Sequence, residues 1–266
     1  MVFDKEALFE EAVITVLKQH GWDDAGGVLR YPSKQDLIDN WAKILFQNNA
    51  DIDRLNGCPL TQGEMAQVIE QIETLKTPLA LNGFINGKTV AIMRDNPDDV
   101  LHLGKEVSLK IYDRQEIAAG QSRYQIAQQP VYPAKSKILN DRRGDLCLLI
   151  NGMPVIHIEL KRSGVPVSQA TGQIEKYAHE GVFTGLFRLV QIFVGMTPDE
   201  ARYFANPGAG AFNPNFYFHW EDFNNEPVCA GDKPGTGEWK RFTSTLLSIP
   251  MAHQLIGFYT VADSSE

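Results

Sequence analysis

The sequence predicts an α/β fold with a central mixed β-sheet that is flanked by helices. Apolar residues recur at helical spacing near the beginning and the end of the chain, whereas the middle contains segments typical of strands. Strands enclosed by helices in this way favour a sheet that is covered on both sides. The chain has 266 residues, 43% of them hydrophobic, which is enough for a substantial core in one large or two modest domains.

Three helices are predicted before the first strand. The first, KEALFEEAVITVLKQHGWD, ends at Gly21. The second begins after a Ser33 cap, and the third begins after a Thr61 cap with Glu64 three residues later, which is typical of a capping box. The apolar residues of the first helix at helical spacing are Leu8, Ala12, Val13, Val16 and Leu17.

The segments with strand character fall into two groups. Between residues 89 and 129 they are TVAIMRD, EVSLKIYD and YQIAQQP, separated by Asn, Asp, Pro and Gly. A hairpin follows, and after a short helix, SQATGQIEKYAHEG, comes the buried strand LVQIFVGMT. The loop ANPGAGAFNPN then leads to a helical end, GTGEWKRFTSTLLSIPMAHQLIGFY.

The charge of the chain is unevenly distributed. A formal net charge of −8 argues against a protein that binds nucleic acid over its whole surface. Residues 131–165 nevertheless hold a basic surplus that can place phosphates at one cleft, and an ordinary solvated rim explains the same charges equally well. The basic residues of this segment are Lys135, Lys137, Arg142, Arg143, Lys161 and Arg162.

Signals for export, membrane insertion and disulfide formation are missing from the sequence. No stretch reaches the roughly 20 apolar residues of a membrane helix, and no signal peptide opens the chain. The three cysteines lie far apart without a CxxC pair, which indicates neither a disulfide framework nor a zinc ribbon. These features predict a cytoplasmic protein with no membrane partner.

Two apparent motifs carry little weight. NGFINGKT resembles a phosphate-binding loop, but Asn82 stands where that motif requires its first glycine, and the segment leads into a strand. A glycine-rich turn before a strand is predicted instead. The six histidines form no HxH or HExxH arrangement. His157 shares a strand face with Glu159 and Lys161, although a lone histidine is more often a core or surface residue.

The segment GDLCLLINGMPVIHIELK contains the best candidate site. Its two strands meet at Asn151-Gly152, a pair that tolerates positive φ in a tight hairpin turn. Asp145 opens the first strand and Glu159 closes the second, so both carboxylates reach one end of the sheet. Paired carboxylates suit Mg²⁺, and Lys161 can orient a water or neutralise charge on a phosphate there.

A structural salt bridge at the strand end is the alternative interpretation of these residues. Three ionisable groups at one edge of an apolar hairpin are unfavourable without a metal ion or a ligand to compensate their burial. The apolar length of the hairpin therefore favours a metal site.

The spacing Asp145…Glu159-x-Lys161 resembles the PD-(D/E)xK motif of nucleases, with Gly144 in place of the usual Pro. The surrounding RRGDLCLLINGMPVIHIELK is similar to the corresponding block in the R (restriction and motor) subunit of type I restriction-modification enzymes. GQIEKY resembles the QxxxY element that follows in that family. GLFRLVQIFVGMTPDEARYFANP and FHWEDF are similar to the segments that come next there.

The resemblance extends over about residues 9–259 and implies a restriction-endonuclease-like core. The implied activity is Mg²⁺-dependent hydrolysis of phosphodiester bonds in double-stranded DNA, in the restriction of foreign DNA. Asp145 and Glu159 would hold the metal ion, with the Leu160 carbonyl as a further ligand. Lys161 would position the attacking water.

The resemblance also implies supporting roles for Gln173, Tyr177 and Glu10. Gln173 and Tyr177 are four residues apart on one helix face and would contact DNA or support Lys161. Glu10 is on the apolar face of the first helix, and related nucleases often place an acidic residue of that helix beside the metal, so Glu10 is preferred over Glu11. An ordinary amphipathic boundary and a partly exposed glutamate are the alternatives.

Domain organisation and partners follow from the same resemblance. Residues 1–205 would form the endonuclease domain, and residues 206–266 a loop and helical extension leading towards motor domains that the chain ends too early to contain. ATP would be a cofactor of the full-length subunit only, and the modification and specificity subunits would recognise the DNA sequence.

Two other functions stay open: a stand-alone PD-(D/E)xK repair nuclease, and a non-catalytic DNA-binding or docking module.

Overall fold

The computed structural model describes residues 2–23, 27–87, 89–111, 122–133 and 140–259. Parts of some sequence predictions lie outside these residues. They are the last two residues of EVSLKIYD, Lys88 in NGFINGKT, the basic residues Lys135 and Lys137, and residues 260–266 of the extension.

The helices of the described chain are α1 (Glu6–Gln19), α2 (Lys34–Asn48), α3 (Gln62–Thr74), α4 (Pro78–Asn86), α5 (Val167–His179), α6 (Glu238–Thr245) and α7 (Ile249–Gln254). The predicted caps are confirmed, because the side chains of Ser33 and Thr61 accept hydrogen bonds from the backbone amides of Asp36 and Glu64 and both form capping boxes. These short-range contacts explain why the local sequence identified where α2 and α3 begin.

The prediction of a glycine-rich turn in NGFINGKT is wrong, because most of this segment belongs to α4. Thr77 caps the helix, and proline occupies its first turn, where the fixed φ of proline favours a helix. Leu81 and Ile85, one turn apart, are buried. Their burial outweighs the unfavourable helix propensity of an internal glycine, and Gly87, the residue after the helix, is in a turn.

The strands are β1 (Leu29–Arg30), β2 (Thr89–Met93), β3 (Glu106–Lys110), β4 (Tyr124–Gln128), β5 (Val131–Tyr132), β6 (Arg142–Arg143), β7 (Leu146–Ile150), β8 (Met153–Leu160), β9 (Ile192–Met196), β10 (Ala201–Ala205), β11 (Trp220–Glu221) and β12 (Pro227–Val228). Six of them form a central sheet in the order β1-β4-β7-β8-β9-β10. The β1/β4 and β8/β9 pairs are parallel and the others are antiparallel, so the sheet is mixed as predicted. β2 and β3 pair separately and pack against α3 and α2.

Helices cover both faces of the central sheet. On β9, a Cβ atom at Gly195 would lie 2.8 Å from Thr171 Cγ2 of α5, so this face packs closely on α5. The next residue, Met196, points to the opposite face, where the Thr243 hydroxyl of α6 contacts its sulfur atom. β7 and β8 are consequently buried on both faces, which explains their nearly continuous apolar sequence. The predicted α/β class is confirmed.

β7 and β8 form the predicted hairpin. Asn151 and Gly152 have φ angles of 51° and 84°, which a tight two-residue hairpin turn requires. The register pairs Ile150 with Met153 next to the turn and Leu146 with Ile158 far from it. The start of β7 and the end of β8 therefore lie together, at the end of the hairpin opposite the turn.

The C-terminal helices pack onto the same core as the N-terminal helix. Trp239 of α6 makes an edge-to-face contact with Phe9 of α1, and both side chains are buried. The boundary at residue 205 between a nuclease domain and an extension stays a prediction. Among the helices described here, none is long and apolar enough to cross a membrane.

Candidate functional site

Asp145 and Glu159 lie together at the open end of the β7–β8 hairpin. Asp145 precedes β7, and its Oδ2 accepts a hydrogen bond of 2.6 Å from the backbone amide of Leu160. Glu159 is completely buried in β8, with its Oε1 atom 2.9 Å from His157 Nε2. The pairing of β7 with β8 thus brings together the two carboxyl groups that the hairpin spacing predicted.

Both carboxyl groups are in a poorly hydrated environment. Burial raises the pKa of Asp145 well above its usual value, and the charge of Glu159 raises it further. Burial also raises the pKa of Glu159 to about 8, although the nearby Lys161 ammonium acts in the opposite direction. A buried carboxyl group next to a partly buried one favours the uptake of positive charge, either as protons or as a cation.

Lys161 follows β8 and reaches the same place. Its Nζ donates to the Leu160 carbonyl oxygen at 2.8 Å and to Glu6 Oε1 of α1 at 3.3 Å. Its positive charge lowers the pKa values of Asp145 and Glu159. The three residues of the motif therefore share one site, and their catalytic roles stay predictions.

The first helix contacts the motif through Glu6, which the sequence analysis missed. Glu6 forms an ion pair with Lys161. Glu10 is buried, but its carboxylate accepts hydrogen bonds from the side-chain amides of Gln128 and Gln129, and in the described part of the chain no hydrogen bond or ion pair joins it to the motif residues. A signal for Glu6 was present, since it stands four residues before Glu10 on the same helix face. The role of Glu10 stays a prediction.

The oxygen atoms at this site match the ligands that Mg²⁺ takes in proteins. Asp145 lies close enough to Glu159 to lower its pKa, but no donor is placed at hydrogen-bond distance and angle to Glu159 Oε2 among the described residues, an unfavourable state that a cation would relieve. The Leu160 carbonyl oxygen accepts one hydrogen bond from Lys161 and has a second lone pair. No group of three His, Cys, Asp or Glu side chains in the described ranges is arranged around a metal position. A metal ion here would rely on Asp145, Glu159, the carbonyl and water, which suits Mg²⁺.

Gln173 and Tyr177 form a short hydrogen-bonded chain on α5. Gln173 Nε2 donates to the Tyr177 oxygen at 2.7 Å, and the Tyr177 hydroxyl donates to the backbone carbonyl of Arg143 at 2.8 Å. Because Arg143 stands two residues before Asp145, Tyr177 anchors the segment that carries Asp145 to α5. Contact of these two residues with DNA stays a prediction.

A cavity of about 500 Å³ opens beside Lys161. Its lining residues are Arg142, Lys161, Gln169, Gly172, Gln173, Lys176 and Tyr177. Two residues of the predicted basic segment, Arg142 and Lys161, therefore face this cavity. Arg142 donates two hydrogen bonds, of 2.5 and 2.8 Å, to the Glu180 carboxylate. The sequence analysis missed Lys176, because it lies on α5 outside the basic segment.

Two further residues extend the polar site behind Glu159. The Tyr132 oxygen lies 2.8 Å from His157 Nδ1, and both residues are completely buried. Burial lowers the pKa of His157 to about 4, so the imidazole is neutral near pH 7. The strand pattern had marked His157, whereas nothing in the sequence indicated Tyr132.

The fold is a mixed sheet with helices on both faces, and the site has an Asp before one strand and a Glu-x-Lys at the end of the next. These features define a restriction-endonuclease-like α/β core. Comparison with known proteins agrees with this class. The family described as the type I restriction enzyme R protein N terminus matches residues 4–211, and the chain belongs to that family. The resemblance of RRGDLCLLINGMPVIHIELK to the R subunit of type I restriction-modification enzymes is thereby confirmed as family membership.

Curated relatives are similar over different parts of this chain. The type I restriction enzyme SsaAORF53P endonuclease subunit of Staphylococcus saprophyticus is 28% identical over 266 residues, all of this chain and 25% of the relative. The SauMSSORF170P endonuclease subunit of Staphylococcus aureus is 27% identical over 228 residues, 86% of this chain and 22% of the relative. The EcoprrI endonuclease subunit of Escherichia coli is 32% identical over 127 residues, 47% of this chain and 38% of the relative. The chain thus spans about a quarter of the length of the staphylococcal relatives.

Proposed function

We propose that this chain is the nuclease region of a type I restriction enzyme endonuclease subunit and hydrolyses phosphodiester bonds of double-stranded DNA in a Mg²⁺-dependent reaction. The observation that carries the proposal is the completely buried Glu159 next to the partly buried Asp145, both beside Lys161, with Glu159 Oε2 unpartnered among the described residues. Membership of the R protein family and the endonuclease names of the relatives support the same reaction.

Each residue of the motif has a defined part in this proposal. Asp145, Glu159 and the Leu160 carbonyl would hold the metal ion. When bound, Mg²⁺ would polarise the phosphate and neutralise the charge that develops on it. The Leu160 amide orients Asp145 through Oδ2, and burial keeps bulk water away from Glu159. Lys161 holds its ammonium at the Leu160 carbonyl, where it can orient the attacking water or stabilise the phosphate charge.

The cavity beside Lys161 would receive the DNA backbone. Lys161 and Lys176 line it with positive charge, while Gln169 and Gln173 present amide donors that suit phosphate oxygens. Tyr177 would act indirectly, since its hydroxyl already anchors the segment before the metal-binding hairpin. Contacts of this kind position a duplex without reading its sequence.

Other steps of restriction are proposed for the longer enzyme. The chain covers 25% or less of the staphylococcal relatives, so ATP-driven motors would be supplied by further parts of the subunit. Modification and specificity subunits would recognise the DNA sequence. We place the assembled enzyme in the cytoplasm, where foreign DNA arrives.

Binding of a divalent cation by the purified chain tests the proposal. Mn²⁺ should raise the unfolding temperature of the wild-type chain above its value in EDTA by mass action. Asp145→Asn, which keeps the shape but removes the charge, should abolish most of this rise. Asp39→Asn, the same change at an exposed carboxylate on α2, should retain it. Equal responses of the two variants would contradict the metal site.

A further inference from the structure

A buried polar chain runs from Tyr132 through His157 to Glu159. The Tyr132 hydroxyl oxygen lies 2.8 Å from His157 Nδ1, and His157 Nε2 lies 2.9 Å from Glu159 Oε1. All three residues are completely buried. Bulk water therefore does not compete for these hydrogen bonds.

The chemistry of the three groups decides the direction of both hydrogen bonds when Glu159 is ionised, as a metal ligand must be. A carboxylate only accepts, so His157 Nε2 carries the proton and donates to Oε1. Nδ1 of the neutral imidazole is then an acceptor, and the Tyr132 hydroxyl donates to it. Tyr132 thereby selects the tautomer of His157 that donates to Glu159.

Close packing holds this pair in place. The ring centroids of Tyr132 and Phe187 are 4.5 Å apart, and those of His157 and Phe183 are 5.2 Å apart. Both contacts are edge to face. A Cβ atom at Gly144 would come within 2.6 Å of His157 Cε1 and 2.8 Å of Tyr132 Cε2. The pair thus fills the space that a side chain would need, which explains glycine where the nuclease motif usually has proline.

We propose that Tyr132 and His157 are positioning residues that hold Glu159 through Oε1 and leave Oε2 for a divalent cation. This inference rests on the proposed function, because it takes Glu159 as a metal ligand. Oε2 is the atom of Glu159 that is buried without a hydrogen-bond partner in the described part of the chain. Groups that orient a metal ligand in this way typically change metal affinity by about 10- to 100-fold.

Mn²⁺ affinity measured by calorimetry on the 266-residue chain tests the inference. Tyr132→Phe should weaken Mn²⁺ binding by about 10-fold or more, because His157 loses the donor that sets its tautomer. His157→Leu should weaken it at least as much. His157→Gln, whose amide can still donate to Glu159, should bind more tightly than His157→Leu.

Tyr124→Phe is the matched control. The Tyr124 hydroxyl lies 3.1 Å from His253 Nδ1, so this variant removes a Tyr–His hydrogen bond of the same kind from β4, away from Glu159. Its Mn²⁺ affinity should equal that of the wild type. Unfolding in EDTA separates the roles, since a merely structural role of Tyr132 would lower the unfolding temperature without changing the affinity.

The outcomes are distinguishable from those of the proposed function. If Tyr132→Phe binds Mn²⁺ as tightly as the wild type while Asp145→Asn loses binding, the positioning role is overturned and the metal site stands. If the wild-type chain does not bind Mn²⁺, or if Asp145→Asn binds it equally well, both the positioning role and the proposed metal site are overturned. If Tyr132→Phe does not fold, equal affinities of His157→Gln and His157→Leu overturn the inference, and tighter binding by His157→Gln supports it.

Discussion

The Lys161 ammonium lies 3.3 Å from Glu6 Oε1, which joins α1 to the end of β8 across 155 residues of sequence. The Lys161 side chain is 13% exposed and the Glu6 side chain 40% exposed, so solvent partly screens the pair. The negative charge of Glu6 also raises the pKa values of Asp145 and Glu159, although less than burial does.

Glu6→Gln should therefore weaken Mn²⁺ binding modestly, by up to about five-fold, since an exposed charge interaction of this kind amounts to about 0.2–1 kcal/mol. Calorimetric titration measures the change. Glu11→Gln, at an exposed carboxylate of the same helix that pairs with Arg30, should leave the affinity unchanged. An equal loss in both variants would indicate a general charge effect.

Lys161→Ala should lower DNA cleavage by about 100-fold or more in a complete type I restriction enzyme that contains this chain, because a preorganised charge at the reacting phosphate is removed. ATP hydrolysis and translocation should stay nearly unchanged, since the proposed motors lie elsewhere. Lys43→Ala, at an exposed position of α2, is the control for both activities. A parallel fall in ATP hydrolysis would argue against a separate nuclease site.

The metal-free chain should lose stability as the pH rises through neutrality. The folded state raises the pKa of Glu159 from 4.5 to about 8, so between these values it keeps a proton that the unfolded state has released. The free energy of unfolding should then fall with rising pH by up to about 1.4 kcal/mol per pH unit for this group. Urea unfolding in EDTA between about pH 5 and 8 measures the slope. Glu159→Gln, which cannot ionise, should flatten it, and an unchanged slope would refute the assignment.

Duplex DNA should bind the isolated chain with a Kd above about 1 µM at physiological salt, because the net charge is −8 and few cations face the cavity. Lys176→Ala should weaken this binding further, whereas Lys43→Ala should not. Fluorescence anisotropy with labelled duplex measures both. Submicromolar binding with efficient cutting would favour a stand-alone repair nuclease. DNA binding without any response to metal would favour a docking module.

Gly144→Ala should destabilise the chain by about 1–3 kcal/mol, because the added Cβ atom would collide with the His157 and Tyr132 rings. Gly83→Ala, within α4 and with no atom inside 4 Å of the added Cβ apart from the adjacent residues and the backbone of its own helix, should instead stabilise it by about 0.5–1 kcal/mol. Urea unfolding compares the two. A stabilising effect of Gly144→Ala would show that the rings move aside easily.

Short-range patterns in the sequence were enough to predict several elements. The caps at Ser33 and Thr61 depend on contacts three residues away, and the turn at Asn151-Gly152 depends on two adjacent backbone angles. Patterns of this kind are visible in any local segment. They failed for α4, where the tertiary burial of Leu81 and Ile85 outweighed a glycine-rich sequence.

The sequence by itself determined that Asp145, Glu159 and Lys161 would meet, because a tight hairpin turn brings the two ends of its strands together. Only the tertiary structure decided which other side chains join them. Glu6 and Glu10 share one face of α1, and the packing of that helix places the first at Lys161 and the second at Gln129. Tyr132 reaches His157 across 25 residues, and no local periodicity encodes such a contact, because it depends on how separate elements pack in three dimensions.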